Sequence, residues 1–276
     1  MAKQILLSCG FTDSAYKTPY WLYPKTFAPT LGFGVYQTIW ADDYPDGSGM
    51  NMVQYHSQLE QLPKRSLLMV NREGLTWWPY DANYIDRPNY EAIDRRIDLL
   101  NYTRTWRTDI RVGLFDGTPY SQQYAFVGTS ACPKVVQVAN ENTYDLGNAA
   151  HVLFPSLYVS SKSNPPDDAL WVKEFFRVSR LTYPDAEIIP LITVMYMDRL
   201  AEVFAKYPGQ NPASSLDFRW TQADLDYCWI PILRLKALLS QFTRAGVKRI
   251  AIWSEGMVPV DAANPQMIEL KNWQNS

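Results

Sequence analysis

An acid, a planar amide and two indoles lie close together in the run SLLMVNREGLTWWP at 66–79: Glu73, Asn71, Trp77 and Trp78, with Tyr80 just beyond. Side chains two apart on a strand share a face, so Asn71 and Glu73 point the same way if the apolar run at 67–70 is a strand. A carboxylic acid so placed can protonate a departing glycosyl oxygen. The amide can hold an N-acetyl group, and indoles and phenols stack on pyranose faces. A strand-end glutamate in plain solvent contact would look the same in isolation, so the surrounding elements have to decide.

Short apolar strands alternate with amphipathic stretches along most of the chain. The pattern predicts strands at 4–9, 33–40, 66–73, 110–116, 151–159, 188–196 and 249–254, and helices at 50–61, 89–107, 168–181, 197–206 and 222–245. In the second of those helices Ile93, Ile97 and Leu100 recur at helical spacing opposite the charges. The last opens near Asp224 and stops at Gly246. This alternation belongs to a parallel sheet, and its repetition predicts an α/β fold, a distorted β/α (TIM-like) barrel of seven to eight strands. No linker or internal repeat divides the chain, so a single domain over 1–276 is expected. The long polar stretches at 117–134 and 207–221 are of the kind that serve a site.

Composition removes several function classes. Ten Trp and eighteen Tyr stand beside two His, 47% of residues are hydrophobic and the formal charge is −2. No basic run suggests nucleic acid. No apolar stretch is long enough for a membrane span, and MAKQILLSCG does not read as a signal peptide. Cys9, Cys132 and Cys228 are too scattered for a disulfide framework or a zinc site, although one pair could be bridged. Cys228 is expected to be buried and inert. No phosphate loop, dinucleotide fingerprint (Gly32-Phe33-Gly34 lacks its third glycine) or His-Glu-x-x-His motif is present, so no cofactor and no metal is expected. His56 falls in a helix and His151 at a strand start, which gives a Ser-His-Asp triad no support. Asn101-Tyr102-Thr103 matches a glycosylation sequon inside a predicted helix.

Barrel chemistry gathers at the carboxyl ends of strands. There the sequence offers Asn71, Glu73, Asp116, Tyr158, Tyr196, Trp253 and Glu255, with Asp198 close by. Each tyrosine could instead fill the barrel and bond a backbone carbonyl. Four segments, in order, resemble the hyaluronidase family of glycoside hydrolases: LLMVNREGLTWWP at 67–79, HVLFPSLYV at 151–159, IIPLITVMY at 188–196 and AGVKRIAIWS at 245–254. The likeness covers most of 65–255. It implies cleavage of β-linked N-acetylhexosamine polymers with retention, Glu73 acting as general acid/base and the substrate's own acetamido oxygen as nucleophile. It further implies that Tyr158 and Tyr196 orient the acetamido group and that Trp253 forms a floor for the sugar, while Trp77, Trp78, Asp116 and Glu255 line the substrate path.

One departure separates this chain from the family pattern, which has Asp where Asn71 stands. An amide can accept the acetamido N–H but adds no charge. Asp116 or Glu255 could supply a second carboxylate, at about 5–5.5 Å from Glu73 for a retaining pair or about 6.5–9.5 Å for an inverting one. Arg72 is expected to turn away from the barrel mouth and pair with an outer helix. Three functions stay open: a glycosidase, a carbohydrate-binding barrel whose chemistry was lost at Asn71, and a barrel enzyme for another neutral substrate. The partner expected is a polysaccharide or oligosaccharide. Because Asp42, Asp43, Asp46, Asp81, Asp116 and Glu255 crowd the mouth segments beside Arg72 and Arg87, neutral chitin-like glycans rank with hyaluronan. Nothing in the sequence fixes the oligomeric state.

Overall fold

The computed structural model of the chain describes residues 2–10, 28–41, 49–72, 78–81, 83–128, 131–207, 221–253 and 263–276. Its strands are β1 (Gln4–Gly10), β2 (Gly34–Trp40), β3 (Leu67–Asn71), β4 (Arg111–Phe115), β5 (Val152–Phe154), β6 (Glu187–Ile188), β7 (Leu191–Ile192) and β8 (Arg249–Ile252). They form one sheet in the order β6-β5-β4-β3-β2-β1-β8-β7. The two ends of that order, β6 and β7, are consecutive in the chain. This is the strand order of a β/α barrel interrupted between them, with eight strands where the sequence suggested seven to eight. The helices are α1 (Met52–Glu60), α2 (Tyr90–Trp106), α3 (Pro133–Asn142), α4 (Tyr144–Ala149), α5 (Pro165–Thr182), α6 (Met197–Ala205), α7 (Gln222–Cys228), α8 (Ile232–Arg244) and α9 (Pro265–Asn275). Among the described residues no helix is long and apolar enough to cross a membrane.

Proline accounts for most differences from the expected boundaries. The strand expected at 188–196 is two short ones, because Pro190 has no N–H to give a ladder. The helix expected at 222–245 divides into α7 and α8 at Trp229-Ile230-Pro231 for the same reason, and its end at Gly246 holds, with φ 73° there. The strand expected at 151–159 stops at Phe154, before Pro155. Helices α3, α4 and α9 were not expected.

The chain packs as two compact units. One comprises Tyr36–Ser156 and Lys173–Pro190 and contains β3 to β6 with β2 from Tyr36 onward. Its ladders are parallel, pairing Trp40 with Asn71, Val70 with Leu114 and Phe115 with Phe154. Met69, Val70 and Asn71 are all buried, as strands covered on both faces should be. Gly113 is required here: a Cβ would lie 2.1 Å from the Val152 carbonyl and 2.9 Å from the Phe154 ring. The space lets Phe154 stack on Tyr36, with ring centroids 5.9 Å apart.

The other unit comprises Met1–Val35, Leu157–Val172 and Leu191–Ser276. In it β8 lies between β1 and β7, both parallel to it, in register Ile5 with Ile250 and Ile192 with Ile252. Leu235, Leu238, Leu239 and Phe242 are the buried stripe of α8. Trp273 of α9 reaches α8 and donates its indole N–H to the Leu239 carbonyl at 3.1 Å.

Candidate active site

Glu73, Trp77 and Glu255 lie outside the described residues, as do Asp42, Asp43 and Asp46. The other candidates fall in both units and are taken unit by unit.

In the first unit, Asn71 ends β3 fully buried, and its carbonyl accepts the Ala41 N–H at 3.0 Å. Asp116 follows β4 directly, with a positive φ of 45° that is costly for a residue other than glycine. Its carboxylate holds that turn in place. Oδ1 accepts from the Ser121 hydroxyl at 2.9 Å and Oδ2 from Ser156 at 2.7 Å, and the residue is only 6% exposed. Both oxygens are thus engaged in binding the loop after β4 to the segment after β5.

Arg96 of α2 secures the same strand ends from outside. It is 1% exposed and donates to the Asp116 carbonyl and to the Arg72 carbonyl, each at 3.2 Å. Burial lowers its pKa to about 10, with the Asp116 charge working the other way, so it stays protonated at neutral pH. Gly117, at φ 85°, leaves room for this guanidinium, which a Cβ would approach to 2.7 Å. Arg72 itself is buried and donates to the Ala41 carbonyl. Its backbone oxygen is tied to the outer helix α2 through Arg96.

Aromatic rings extend from this point. Trp78 is half-buried and meets Tyr80 edge-on at 6.2 Å, Tyr80 meets Tyr120 at 5.2 Å, and Tyr120 meets Tyr124 at 6.4 Å. The hydroxyls of Tyr120 and Tyr124 share a short hydrogen bond, and the Tyr124 ring is 58% exposed. Burial pushes the Tyr80 and Tyr120 hydroxyls far above the ordinary phenol range. Both remain neutral donors and acceptors.

In the second unit, Tyr196 caps the start of α6, is 3% exposed, and its hydroxyl accepts from Arg234 Nη1 at 3.0 Å. The guanidinium of Arg199 lies 4.9 Å from the centre of its ring. Tyr158 is half-buried on the segment that follows β5. Three residues on, that segment is tied to α6: Asp198 accepts from the Ser161 N–H and hydroxyl and from the Ser160 hydroxyl. Burial alone would raise the Asp198 pKa, but these donors outweigh it and hold the carboxyl below its ordinary value. Trp253 directly follows β8 at 8% exposure, and its backbone N–H bonds the Ile192 carbonyl at 2.8 Å, next to the β7 segment that leads to Tyr196. Cys132 and Cys228 are free thiols, and burial pushes Cys228 up to about 11, which leaves it inert as expected. Among the described residues no cluster of His, Cys, Asp and Glu could hold a metal.

No protein-family profile matches the chain, nor does any curated protein sequence. Solved structures do match. Bee venom hyaluronidase, crystallised in complex with a hyaluronic acid tetramer, superposes with a TM-score of 0.59 at 14% identity, over 99% of this chain and 97% of that one. Its monoclinic crystal form gives 0.54 at the same identity and coverage. The two proteins share a fold. The distorted β/α barrel expected from strand periodicity is therefore the architecture of this chain.

Several site-supporting residues escaped the sequence reading. Arg96 had a legible signal, because it falls on the buried stripe of α2 with Ala92, Ile93, Leu99, Leu100 and Thr103. An arginine on such a stripe must find acceptors inside. Arg234 and Asp168 gave no signal, since they meet from positions 66 apart in sequence.

Proposed function

We propose that this chain is a glycoside hydrolase acting on β-linked N-acetylhexosamine glycans through a substrate-assisted, retaining mechanism, with 1–276 serving as one catalytic domain. The observation that carries the reading is the fold shared with bee venom hyaluronidase over nearly the whole chain. The four strand-end segments that resemble that family support it.

In this reading Glu73, two residues past the end of β3, donates a proton to the departing glycosyl oxygen and then takes one from water. The acetamido oxygen attacks the anomeric carbon, and the ring so formed is opened by that water. Asn71 accepts the acetamido N–H, and the Tyr158 and Tyr196 hydroxyls orient the group. Trp253 underlies the sugar, while Trp77, Trp78, Asp116 and Glu255 bind neighbouring units. With an amide at 71, positive charge growing on the acetamido nitrogen meets a dipole instead of an anion. Each loss of about 1.36 kcal/mol at the transition state is a tenfold loss in rate.

Asn71 also supports a second reading, a barrel that binds the same glycans without cleaving them. One experiment separates the two: reducing-end release from N-acetylated and de-N-acetylated glucosamine polymers, beside calorimetric binding of both. Release confined to the acetylated polymer supports the hydrolase. Binding without release supports the second reading, and release from both polymers alike contradicts substrate assistance.

A further inference from the structure

The role proposed for Tyr196 requires its hydroxyl to face a sugar with a defined polarity, and the structure commits one side of that hydroxyl. Arg234, in the first turn of α8, has its guanidinium fixed by three bonds to two residues. Nε donates to Asp168 Oδ2 at 2.8 Å, and Nη2 donates to Asp168 Oδ1 at 3.1 Å and to the Ser163 hydroxyl at 2.6 Å. The Ser163 hydroxyl is itself within 2.9 Å of Asp168 Oδ1. Nη1 is what remains, and it donates to the Tyr196 hydroxyl at 3.0 Å. The Arg234 and Asp168 side chains are 10% and 4% exposed, so the fork is shielded from water. Burial disfavours the guanidinium charge, and the Asp168 carboxylate together with the Tyr196 hydroxyl more than restores it.

Arginine has donors and no acceptor, which fixes the sense of the last bond: the phenol oxygen accepts. The Tyr196 proton is then directed elsewhere, and among the described residues none accepts it. A hydroxyl whose oxygen is held by a cation is polarised into a stronger donor. Asp168 and Ser163 sit on the segment that continues from Tyr158, so the same fork ties both phenol-bearing segments to α8.

We propose that Arg234 is a positioning residue for glycan recognition: clamped by Asp168 and Ser163, it turns the Tyr196 hydroxyl into a fixed proton donor for the acetamido carbonyl oxygen of an N-acetylhexosamine. The inference rests on the function proposed above and names a residue that the family resemblance does not.

The test is a double-mutant cycle of Arg234→Lys and Tyr196→Phe. Its readouts are kcat/KM and calorimetric affinity for N-acetylglucosamine tetrasaccharide and for its de-N-acetylated counterpart, with the thermal midpoint followed in parallel. Lysine keeps the charge but cannot engage Asp168 and Tyr196 with one rigid fork. Each single variant should lose about tenfold on the acetylated ligand, the worth of one hydrogen bond to a charged or polarised group. The double variant should lose no more than Tyr196→Phe alone, and affinity for the de-N-acetylated ligand should not move. Should Arg234→Lys fail to fold, Ser163→Ala loosens the same fork and should give a smaller loss that vanishes in the Tyr196→Phe background. Additive losses, or a variant at 234 or 163 that is thermally weaker but kinetically and calorimetrically unchanged, overturn the assignment and leave a purely structural ion pair. A wild-type protein that neither binds nor cleaves either ligand overturns the proposed function itself, before any variant is made.

Discussion

Asn71 concentrates the chemical question into one amide. It sits fully buried at the end of β3, paired with Trp40 of β2. Replacing it by aspartate returns a negative charge beside the proposed acetamido nitrogen and a like charge near Glu73, which favours the protonated acid. Asn71→Asp is therefore predicted to raise turnover on acetamido sugars about tenfold or more, read as kcat in a reducing-end assay. Unchanged turnover would mean that this position does not face the sugar. Asp116 shows why residue type alone could not assign roles. As a strand-end carboxylate it was a candidate second acid, whereas both its oxygens accept serine hydroxyls five and forty positions away. Only the first of those partners is near enough in sequence to be guessed.

Elements were legible wherever periodicity and proline act locally, and illegible wherever long-range packing decides. The order of strands and helices followed from alternation, and the divisions at Pro190 and Pro231 could have been read by giving proline its full cost in mid-element. Helices α3 and α4 could not, because α4 is only six residues long and depends on a distant partner. That partner is Tyr183, whose ring covers Gly147 and whose hydroxyl bonds Thr118 at 2.7 Å and the Asn140 carbonyl at 2.9 Å. A Cβ at 147 would lie 2.2 Å from the Tyr183 ring. Gly147→Ala is accordingly predicted to cost about 1–3 kcal/mol of stability despite its better helix propensity, measured by denaturant unfolding. At the other end of the strands, His151 accepts the Val112 N–H on Nδ1 at 3.1 Å, which requires a neutral ring. Burial, aided by Arg104 and Arg111, lowers its pKa from 6.5. The unfolded chain thus takes up the proton first, so the stability this ring contributes is complete above its ordinary pKa and fades as pH falls through the lower folded value. The thermal midpoint should drop as pH falls below the ordinary histidine value of 6.5, and His151→Asn, which keeps an acceptor without titrating, should flatten that drop.

At the scale of the whole molecule, the architecture is shared with bee venom hyaluronidase, and charge does not follow from architecture. This chain carries a formal charge of −2, and six acids fall in the segments that should border the substrate. A polyanion would meet repulsion there, strongest at low salt where screening is weakest. The account therefore predicts that neutral N-acetylglucosamine oligomers are cleaved faster than hyaluronan, with the gap narrowing as salt rises. Efficient hyaluronan cleavage at low salt would contradict it. Substrate choice was only partly readable from the sequence because charge is countable there but its position around a cleft is not. The central claim rests on a single carboxyl group, and it is tested most directly by comparing reducing-end release from N-acetylglucosamine oligomers by the wild-type protein and by Glu73→Gln. The account predicts release by the wild type and a fall of about a hundredfold or more in the variant, with oligomer affinity retained. Equal release by both proteins would contradict it.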